Sequence, residues 1–355
     1  MDVDAPASPP SDMDRLPSVS ADAYYSEYHG HLTPHLNRVH DALRRHGANT
    51  RIVFTAGDSS LDNKYWFGHS APAVANGYHR VLSPPVMKQD VTYWLNRRAA
   101  DREGLAHISA INTAVEATTL NGRACCKLLK QDKFLKNHVR QNDVVIVSVG
   151  GNDIALMPCL CTIVNIGLIS CCTPHSCVEA TKGVPFPCDD CCCGCGFGCL
   201  STLTACPAPC MGYFYHMFQT RVQAYVNNLT SGEERPGTII VCMIYYLDEA
   251  ATGSWADGML GCLGYNSNPK KLQMMIRRVF EEAVSKIKVD GAEVIPFPLF
   301  KVLDGKTSSD YRERVEPSPE GGRKIADALL DVIEGGEAAK RWIGADAAGD
   351  EKKII

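Results

Sequence analysis

Two loops of this chain place glycine beside side chains that can act on a carbonyl group. The first is Gly57-Asp58-Ser59, where Ser59 offers a hydroxyl nucleophile and its own backbone N–H. The second is Gly150-Gly151-Asn152-Asp153. Glycine lets the backbone approach a ligand closely, and the Asn152 amide can donate a hydrogen bond to an oxyanion. The pair predicts nucleophilic catalysis by Ser59 with help from Asn152, and substrate contacts from Asp58, Gly150 and Gly151.

The elements that must position these loops are strands that alternate with helices. Apolar runs at 51–56 and 143–149 end directly at the two loops, and such runs are typical of a buried parallel sheet. Further strands are predicted at 107–112, 238–246 and 292–296, and helices at 90–100, 121–140, 221–229, 270–289 and 319–333. Ligands of an open α/β sheet bind beyond the carboxyl ends of its strands. The pattern therefore predicts an α/β three-layer sandwich, with a mostly parallel sheet that holds both loops at one edge.

Four segments together resemble the sequence blocks of the SGNH (GDSL-type) hydrolases. They are 54–62, 111–119, 150–153 and 313–322, and the third, Gly-Gly-Asn-Asp, matches its block fully. The resemblance covers about 51–333, apart from a cysteine-rich segment, and implies a flavodoxin-like fold. It also implies ester hydrolysis through an acyl-Ser59 intermediate. The implied oxyanion hole consists of the backbone N–H groups of Ser59 and Ala114 and the side chain of Asn152.

The last of these blocks departs from the family pattern. Glu313 stands at the usual Asp and Glu316 at the usual His, and no histidine follows His216. A serine hydroxyl needs a base, and a carboxylate with an ordinary pKa of about 4 is a weak one. Two carboxylates held close together raise one pKa and share a proton. Glu316, with its pKa raised by Glu313, is therefore a candidate general base.

Three interpretations of this departure remain open from the sequence. The protein could be a hydrolase that uses Glu316, or a histidine supplied by another loop, for which the candidates are His69, His175 and His216. It could instead use a glutamate base for acyl transfer, lysis or isomerisation. It could also be inactive and bind a ligand in the same pocket. Arg312 and Arg314 bear on this choice, because they could neutralise the two glutamates and hold them ionised.

Charge and cysteine content narrow the class of protein. The chain has 36 Lys and Arg against 40 Asp and Glu, a formal charge of −4, and gives no electrostatic reason to expect nucleic-acid binding. Residues 1–20 are acidic and rich in Pro and Ser, without the pattern of a secretory signal peptide, which predicts a disordered tail on a cytoplasmic protein.

Thirteen of the 17 cysteines lie between Cys159 and Cys210. In a reducing compartment we do not expect these to form structural disulfides.

The clustered cysteines define an apolar insertion, residues 154–220, between the two parts of the α/β domain at 21–153 and 221–335. A C-terminal tail follows at 336–355. Pairs with C-x-x-C spacing, Cys188 with Cys191 and Cys192 with Cys195, could bind zinc, and we expect no other cofactor. Exposed apolar residues could instead dock on a membrane surface, aided by S-palmitoylation, or the thiols could simply pack.

The insertion directly follows the Asn152 loop, so we expect it at the mouth of the site. Trp66 is a further candidate for lining an apolar pocket there. These features predict a small-molecule or lipid ester as the substrate, with peripheral membrane contact through 154–220.

Overall fold

A five-stranded sheet forms the centre of the protein. The computed structural model describes residues 18–47, 49–124, 126–186 and 200–343. The strands are β1 (Arg51–Gly57), β2 (Ile108–Asn112), β3 (Val144–Ser148), β4 (Thr238–Met243) and β5 (Glu293–Pro298). Their order in the sheet is β2-β1-β3-β4-β5, and every neighbouring pair is parallel. This is the flavodoxin-like order, so the predicted α/β class with a mostly parallel sheet is confirmed.

Helices occupy most of the chain between the strands. They are α1 (Ala21–Tyr24), α2 (Thr33–His46), α3 (Tyr78–Val81), α4 (Val91–Ala100), α5 (Lys130–His138), α6 (Gly151–Ala155), α7 (Leu160–Cys172), α8 (His175–Ala180), α9 (Met211–Tyr215), α10 (Val222–Leu229), α11 (Ala256–Cys262), α12 (Pro269–Glu282), α13 (Pro319–Glu334) and α14 (Gly336–Ile343). Short paired strands flank the main sheet: Val19–Ser20 with Leu82–Ser83, Ser70–Pro72 with Val86–Lys88, Lys182–Gly183 with Ala205–Cys206, and Tyr311–Arg312 with Glu316–Pro317.

Two hydrophobic cores lie on opposite faces of the sheet. Alternate residues of β1 divide between them: Val53 joins the core formed with α4 and α13, whereas Phe54 joins the larger core on the other face. The strands are buried throughout because helices cover both faces, which explains their continuous apolar sequence. The sequence also predicted the start of α13 correctly, since the Ser318 hydroxyl accepts a hydrogen bond from the Gly321 N–H at 3.1 Å.

The helix predicted over 121–140 is wrong in its first half. The structure has a single 3₁₀ turn at Asn121–Arg123, and α5 begins only at Lys130. Arg123 explains the break, because its buried guanidinium donates hydrogen bonds to the Gly57 carbonyl at 2.9 Å and to the Asp132 carboxylate at 3.1 Å. Cys126, within the predicted helix, is exposed, with φ of +60°. Cys242 is buried in β4.

The insertion folds in part as helix. Helix α7 carries exposed apolar side chains at Leu160, Ile163, Val164 and Leu168, which share one helical face. It has 13 residues, and no helix in the described part of the chain combines the length and apolarity needed to cross a bilayer. Cys161 departs from the expectation of reduced thiols, because it is disulfide-bonded. The predicted zinc pairs at Cys188–Cys195 and the tails at 1–17 and 344–355 lie outside the described residues.

The turn after β1 depends on the close approach of two strands. Gly57 has φ of +128°, and a Cβ built there would lie 1.7 Å from the Ser148 carbonyl oxygen of β3. Asp58 continues the pairing, since its N–H donates to the same carbonyl at 3.0 Å. Only glycine lets β1 end against β3 in this way, and the position of Ser59 follows from it.

We predict that Gly57→Ala lowers the free energy of unfolding by about 3 kcal/mol or more, because it combines backbone strain with a steric clash. Urea denaturation measures the change. Gly291→Ala is the matched control, because Gly291 also has positive φ (+79°) but no atom within 4 Å of the added methyl group. It should cost only the strain, about 1–2 kcal/mol. Equal losses in the two variants would contradict the steric argument.

Candidate active site

An open cavity of about 940 Å³ lies beyond the carboxyl ends of β1, β3 and β4. One end is polar and is formed by the loops that follow β1, β2 and β3. The rest is mostly apolar and is formed by α6, the loop after β4, and α12. The residues that line the cavity include Tyr28, Asp58, Ser59, Trp66, Glu116, Ala117, Gly151, Asn152, Leu156, Ile244, Tyr245, Leu247, Trp255, Leu272, Ile276 and Glu316.

Ser59 and Glu316 meet at the polar end of this cavity. Ser59 begins one helical turn after β1, in which the Leu61 and Asp62 N–H groups both donate to the Asp58 carbonyl. Glu316 lies in the short strand before α13. The two segments are fastened together by the Asn63 side chain, which donates a hydrogen bond to the Pro317 carbonyl at 2.7 Å. The predicted nucleophile and the predicted base are therefore neighbours, although 257 positions separate them in the sequence.

Burial raises the pKa of Glu316 well above its ordinary value. The neighbouring Ser59 hydroxyl opposes this rise in pKa, whereas the negative charges of Glu116, Asp58 and Asp62 add to it. Among the described residues, Oε2 of Glu316 has no hydrogen-bond partner. A carboxyl group with a raised pKa, an unsatisfied oxygen and a serine hydroxyl beside it has the properties that a general base requires.

Glu313 does not share the site with Glu316. It lies at the tip of a tight turn, with φ of +48°, between the paired strands Tyr311–Arg312 and Glu316–Pro317. It does not line the cavity, and the charges that raise the pKa of Glu316 come from Glu116, Asp58 and Asp62 instead. The sequence placed the two glutamates together because they are close along the chain, but the turn between the strands separates their side chains.

Arg314, a candidate for neutralising Glu313 and Glu316, forms its hydrogen bonds with other residues. It is fully buried and donates to the Asp257 carboxylate at 2.6 Å and to the Asn266 side chain at 2.8 Å. It also donates to the Asp248 carbonyl at 2.9 Å. Arg314 therefore anchors the turn to the loop after β4, and Arg312 is exposed at the surface. Neither arginine lines the cavity.

The backbone N–H of Ala114, an expected oxyanion donor, already forms a hydrogen bond within the protein. Its N–H donates to the Asn112 side-chain oxygen at 3.0 Å, and Ala114 is fully buried away from the cavity. Ala117 takes the corresponding position at the cavity wall, with φ of +57°. Among the described residues, the N–H groups of Ser59 and Ala117 have no hydrogen-bond partner. The oxyanion donors that the structure brings together are thus Ser59, Ala117 and Asn152.

Asn152 enters the cavity from the first turn of α6. One of its amide hydrogens is donated to the Thr118 carbonyl at 3.0 Å, which fixes the side chain and leaves the second hydrogen for a ligand. Gly151 also lines the cavity. Gly150 does not, and instead packs against Phe218, whose Cε1 would lie 2.9 Å from an added Cβ. Its φ of +107° lets the chain turn from β3 into α6.

Asp58 and Trp66 both line the cavity near Ser59. Oδ1 of Asp58 accepts hydrogen bonds from the N–H of Ser60 at 3.1 Å and from its hydroxyl at 2.8 Å, which rigidifies the nucleophile turn. Oδ2 has no partner among the described residues, and burial raises the pKa of this carboxyl group. Trp66 is half-buried and is the last residue of the 3₁₀ turn Lys64–Trp66.

Sequence analysis missed Glu116, Ala117 and Tyr28. Glu116 is almost fully buried, and burial together with the charge of Asp62 raises its pKa to about 8. A signal was present for Glu116, because an acidic residue in the loop after a predicted parallel strand faces the ligand edge of the sheet. Ala117 could be recognised only from its backbone dihedrals. Tyr28 comes from a segment before β1 that no motif marks.

The polar end of the cavity rests on a buried ion pair. The Lys64 ammonium donates to both oxygens of Asp62 at 2.8 Å, and both side chains are fully buried. Asp62 also offers a ligand atom within 4.8 Å of His31 and Asp90, a spacing that could hold a metal ion. Lys64 already supplies the positive charge there, and the His31 Nδ1–H donates to the Tyr24 carbonyl at 2.7 Å. We therefore interpret this cluster as structural.

None of the histidines suggested as an alternative base reaches the cavity. His69 is exposed, His175 contacts the Asn268 side chain at 3.1 Å, and His216 is buried in the π-helical turn between α9 and α10. Among the described residues, no histidine lines the cavity. The carboxyl groups are thus the titratable groups that can take the proton of Ser59.

Comparison with known proteins gives only distant likeness. No protein-family model matches the chain, and no curated protein matches its sequence. The structure of Est24, a carbohydrate acetylesterase from Sinorhizobium meliloti, is 14% identical with a TM-score of 0.38, over 80% of this chain and 98% of that one. The native aryl esterase of M. smegmatis is 15% identical with a TM-score of 0.38, over the same shares. Identities and TM-scores this low do not indicate the activity of this chain.

We predict that Lys64→Met lowers the free energy of unfolding by about 3–5 kcal/mol, because it leaves the Asp62 carboxylate buried without its counter-charge. Adding Asp62→Asn should recover a large part of this loss, since the amide needs no counter-charge. Thermal and urea unfolding of both variants measure the two effects. A double variant that is as unstable as Lys64→Met alone would contradict a structural role for the ion pair.

Proposed function

We propose that this protein is a serine ester hydrolase in which Glu316 replaces histidine as the general base. The observation that carries the proposal is the buried Glu316 carboxyl group beside the Ser59 hydroxyl, with a raised pKa and an oxygen without a partner. The sequence resemblance to the SGNH hydrolases supports the same nucleophile. The α/β fold, with Ser59 after β1 and Asn152 after β3, is compatible with this family.

In the first step, Glu316 takes the proton of the Ser59 hydroxyl as Oγ attacks the ester carbonyl carbon. The carbonyl double bond opens and its electron pair moves to the oxygen, which becomes an oxyanion. The N–H groups of Ser59 and Ala117 and the free amide hydrogen of Asn152 are the donors that can stabilise this charge. When the tetrahedral intermediate collapses, the carbon–oxygen bond to the alcohol breaks and Glu316 returns its proton to the leaving alkoxide.

In the second step, water replaces the alcohol. Glu316 takes a proton from the water as its oxygen attacks the acyl carbon, and the bond to Ser59 breaks when the second tetrahedral intermediate collapses. The proton returns to Ser59 and the carboxylic acid leaves. A carboxyl group must be ionised to start each step, and its raised pKa makes Glu316 a stronger base than an ordinary glutamate.

The apolar part of the cavity supports an apolar acyl group. Ile244, Leu247, Leu272 and Ile276 form a wall that continues from Ser59 towards Trp255 at the surface. Burial of a CH₂ group against such a wall contributes about 0.8 kcal/mol. An acyl chain of several carbons should therefore bind better than acetate.

Exposed apolar residues of the insertion follow the cavity-lining segment along the chain. Leu156 lines the cavity and is itself exposed, and α7 continues from it with four exposed aliphatic side chains. We include in the proposal that this surface receives lipid esters by peripheral contact with a membrane. Cys171 and Cys172 at the end of α7 are exposed and could carry S-palmitoyl groups.

A fluorophosphonate probe tests the nucleophile. Wild-type protein should be labelled, and peptide mapping should place the adduct on Ser59 and not on the adjacent Ser60. Ser59→Ala should abolish labelling and reduce hydrolysis of p-nitrophenyl hexanoate by roughly 10³-fold or more. If folded wild-type protein is neither labelled nor active, the hydrolase proposal fails. The remaining candidate is then a protein that binds a ligand in the same cavity.

The pH profile tests the base. Since Glu316 must be ionised, kcat/KM should be low in acid and rise with pH through its raised pKa, well above the 4.5 of an ordinary glutamate. Glu316→Gln should lower kcat/KM by about 10²–10⁴-fold and remove this rise. Glu313→Gln is the matched control, because it removes a carboxyl group three residues before Glu316 that does not line the cavity. If both variants lose the same activity, Glu316 is not the specific base.

A further inference from the structure

Three buried carboxyl oxygens, on side chains that line the cavity, have no hydrogen-bond partner among the described residues. They are Oδ2 of Asp58, Oε2 of Glu116 and Oε2 of Glu316, on side chains that are 3%, 1% and 8% exposed. Leaving a buried polar atom unsatisfied costs about 1–3 kcal/mol, so three around one cavity call for a ligand that satisfies them. The proposed catalysis uses Glu316 but gives no task to Glu116.

The same end of the cavity has aromatic walls and no basic side chain. Tyr28, Trp66 and Tyr245 line the cavity together with these carboxyl groups. The lining includes no Lys, Arg or His from the part of the chain that the structure describes. Aromatic faces attract cations, and quaternary ammonium ligands are commonly bound between aromatic rings and carboxylates.

We infer that this acidic, aromatic end of the cavity binds an ammonium group, and that the preferred substrate is an ester whose alcohol carries one. The preference for such an ester as a substrate rests on the proposed function, whereas the ammonium site itself does not. In the proposed complex, the acyl chain lies against the apolar wall and the ammonium group lies among Asp58, Glu116 and the rings of Tyr28 and Trp66.

Glu116 is held in place for this role by its own backbone. Its N–H donates to Oδ2 of Asp62 at 3.0 Å, and its carbonyl accepts from the His29 ring at 3.1 Å. Its position is therefore fixed before a ligand arrives, which reduces the entropic cost of binding. The Lys64 ammonium donates to both oxygens of Asp62, and among the described residues it forms no hydrogen bond with the Glu116 carboxyl group.

The spacing of the carboxyl groups favours an organic cation over a bare metal ion. In the described part of the chain, only His31, Asp62 and Asp90 bring three ligand atoms within 4.8 Å of one another. The three cavity carboxyl groups are spaced more widely than that. A metal ion needs ligands at about 2.0–2.6 Å, whereas an ammonium group with its methyl groups spans a wider gap. An anionic ligand would find no Lys, Arg or His among the described lining residues to bind it.

Binding of a cation should be coupled to proton release. The charged groups that act on Glu116 are Asp62, Lys64 and Lys88, and Glu316 lies across the cavity beside the Tyr28 phenol. With the pKa of Glu116 at about 8, a large part of this group is protonated at pH 7. A bound ammonium group favours the ionised form, so affinity should rise as the pH is raised through 8.

Calorimetry with three hexyl compounds tests the inference on catalytically silent Ser59→Ala protein. Hexyltrimethylammonium, 1-hexanol and hexanoate share one chain and differ only in charge. We expect the ammonium compound to bind at least tenfold more tightly than 1-hexanol, and hexanoate to bind most weakly. Titrations at pH 7 in buffers of different ionisation enthalpy should report proton release for the ammonium compound alone. Equal affinities of the ammonium compound and 1-hexanol would overturn the inference.

Glu116→Gln provides the residue-level test. In the Ser59→Ala background it should weaken hexyltrimethylammonium about tenfold or more and 1-hexanol less than twofold, whereas the exposed Glu320→Gln should change neither. A loss of the same size for all three compounds would indicate a merely structural role and contradict the assignment. The order of the three compounds in Ser59→Ala protein decides the question even if Glu116→Gln does not fold.

Hydrolysis by the wild-type protein separates this inference from the proposed function. We expect 2-(trimethylammonio)ethyl hexanoate to be cleaved with a kcat/KM at least tenfold above that of ethyl hexanoate. Cleavage of both esters at equal rates would overturn the ammonium preference and leave the hydrolase. Cleavage of neither ester, together with tight ammonium binding, would overturn the hydrolase and leave the ammonium site.

Discussion

The Asp62 carboxylate is the interaction on which the candidate site depends. It accepts two hydrogen bonds from Lys64, one from the Asn112 side chain at 2.9 Å and one from the Glu116 N–H at 3.0 Å. These bonds tie the loop after β1, which carries Ser59, to the loop after β2, which carries Glu116 and Ala117. The same buried charge raises the pKa of Glu116 and Glu316. One residue therefore fixes both the geometry and the proton affinity of the polar end of the cavity.

A carboxylate can replace an imidazole only where its surroundings change its proton affinity. In water, glutamate is too weak a base to activate a serine hydroxyl at neutral pH. Removal of Glu316 from water raises its pKa, and three neighbouring carboxyl groups raise it further. Arg314 lies two residues away, but it is turned towards Asp257 and Asn266, so it does not cancel this effect. The proposed use of Glu316 in place of a histidine is thus accompanied by an electrostatic environment that raises the proton affinity of a glutamate.

Sequence patterns were sufficient for the sheet and for part of the site. The strands could be predicted because helices cover both faces, which makes the strands continuously apolar, and the Ser59 and Asn152 loops follow two of them. The rest depends on contacts between distant segments. Ala117 is distinguished from Ala114 only by its positive φ, and Glu313 is separated from Glu316 only by a turn whose dihedrals the sequence does not specify. The break in the helix predicted over 121–140 arises from the buried Arg123, whose partners Gly57 and Asp132 belong to other elements.

The hydrogen bond from Asn63 to Pro317 has a consequence for the order of events during synthesis. It joins the nucleophile turn to a strand 254 residues later, so it closes one of the longest loops in the molecule. Such a contact carries a large entropic cost and forms after the local ones. As the chain leaves the ribosome, Ser59 is complete long before Glu316 exists. Under the proposed mechanism, the nascent protein therefore holds an unactivated serine until α13 has been made and docked, and reactivity begins only when folding is finished.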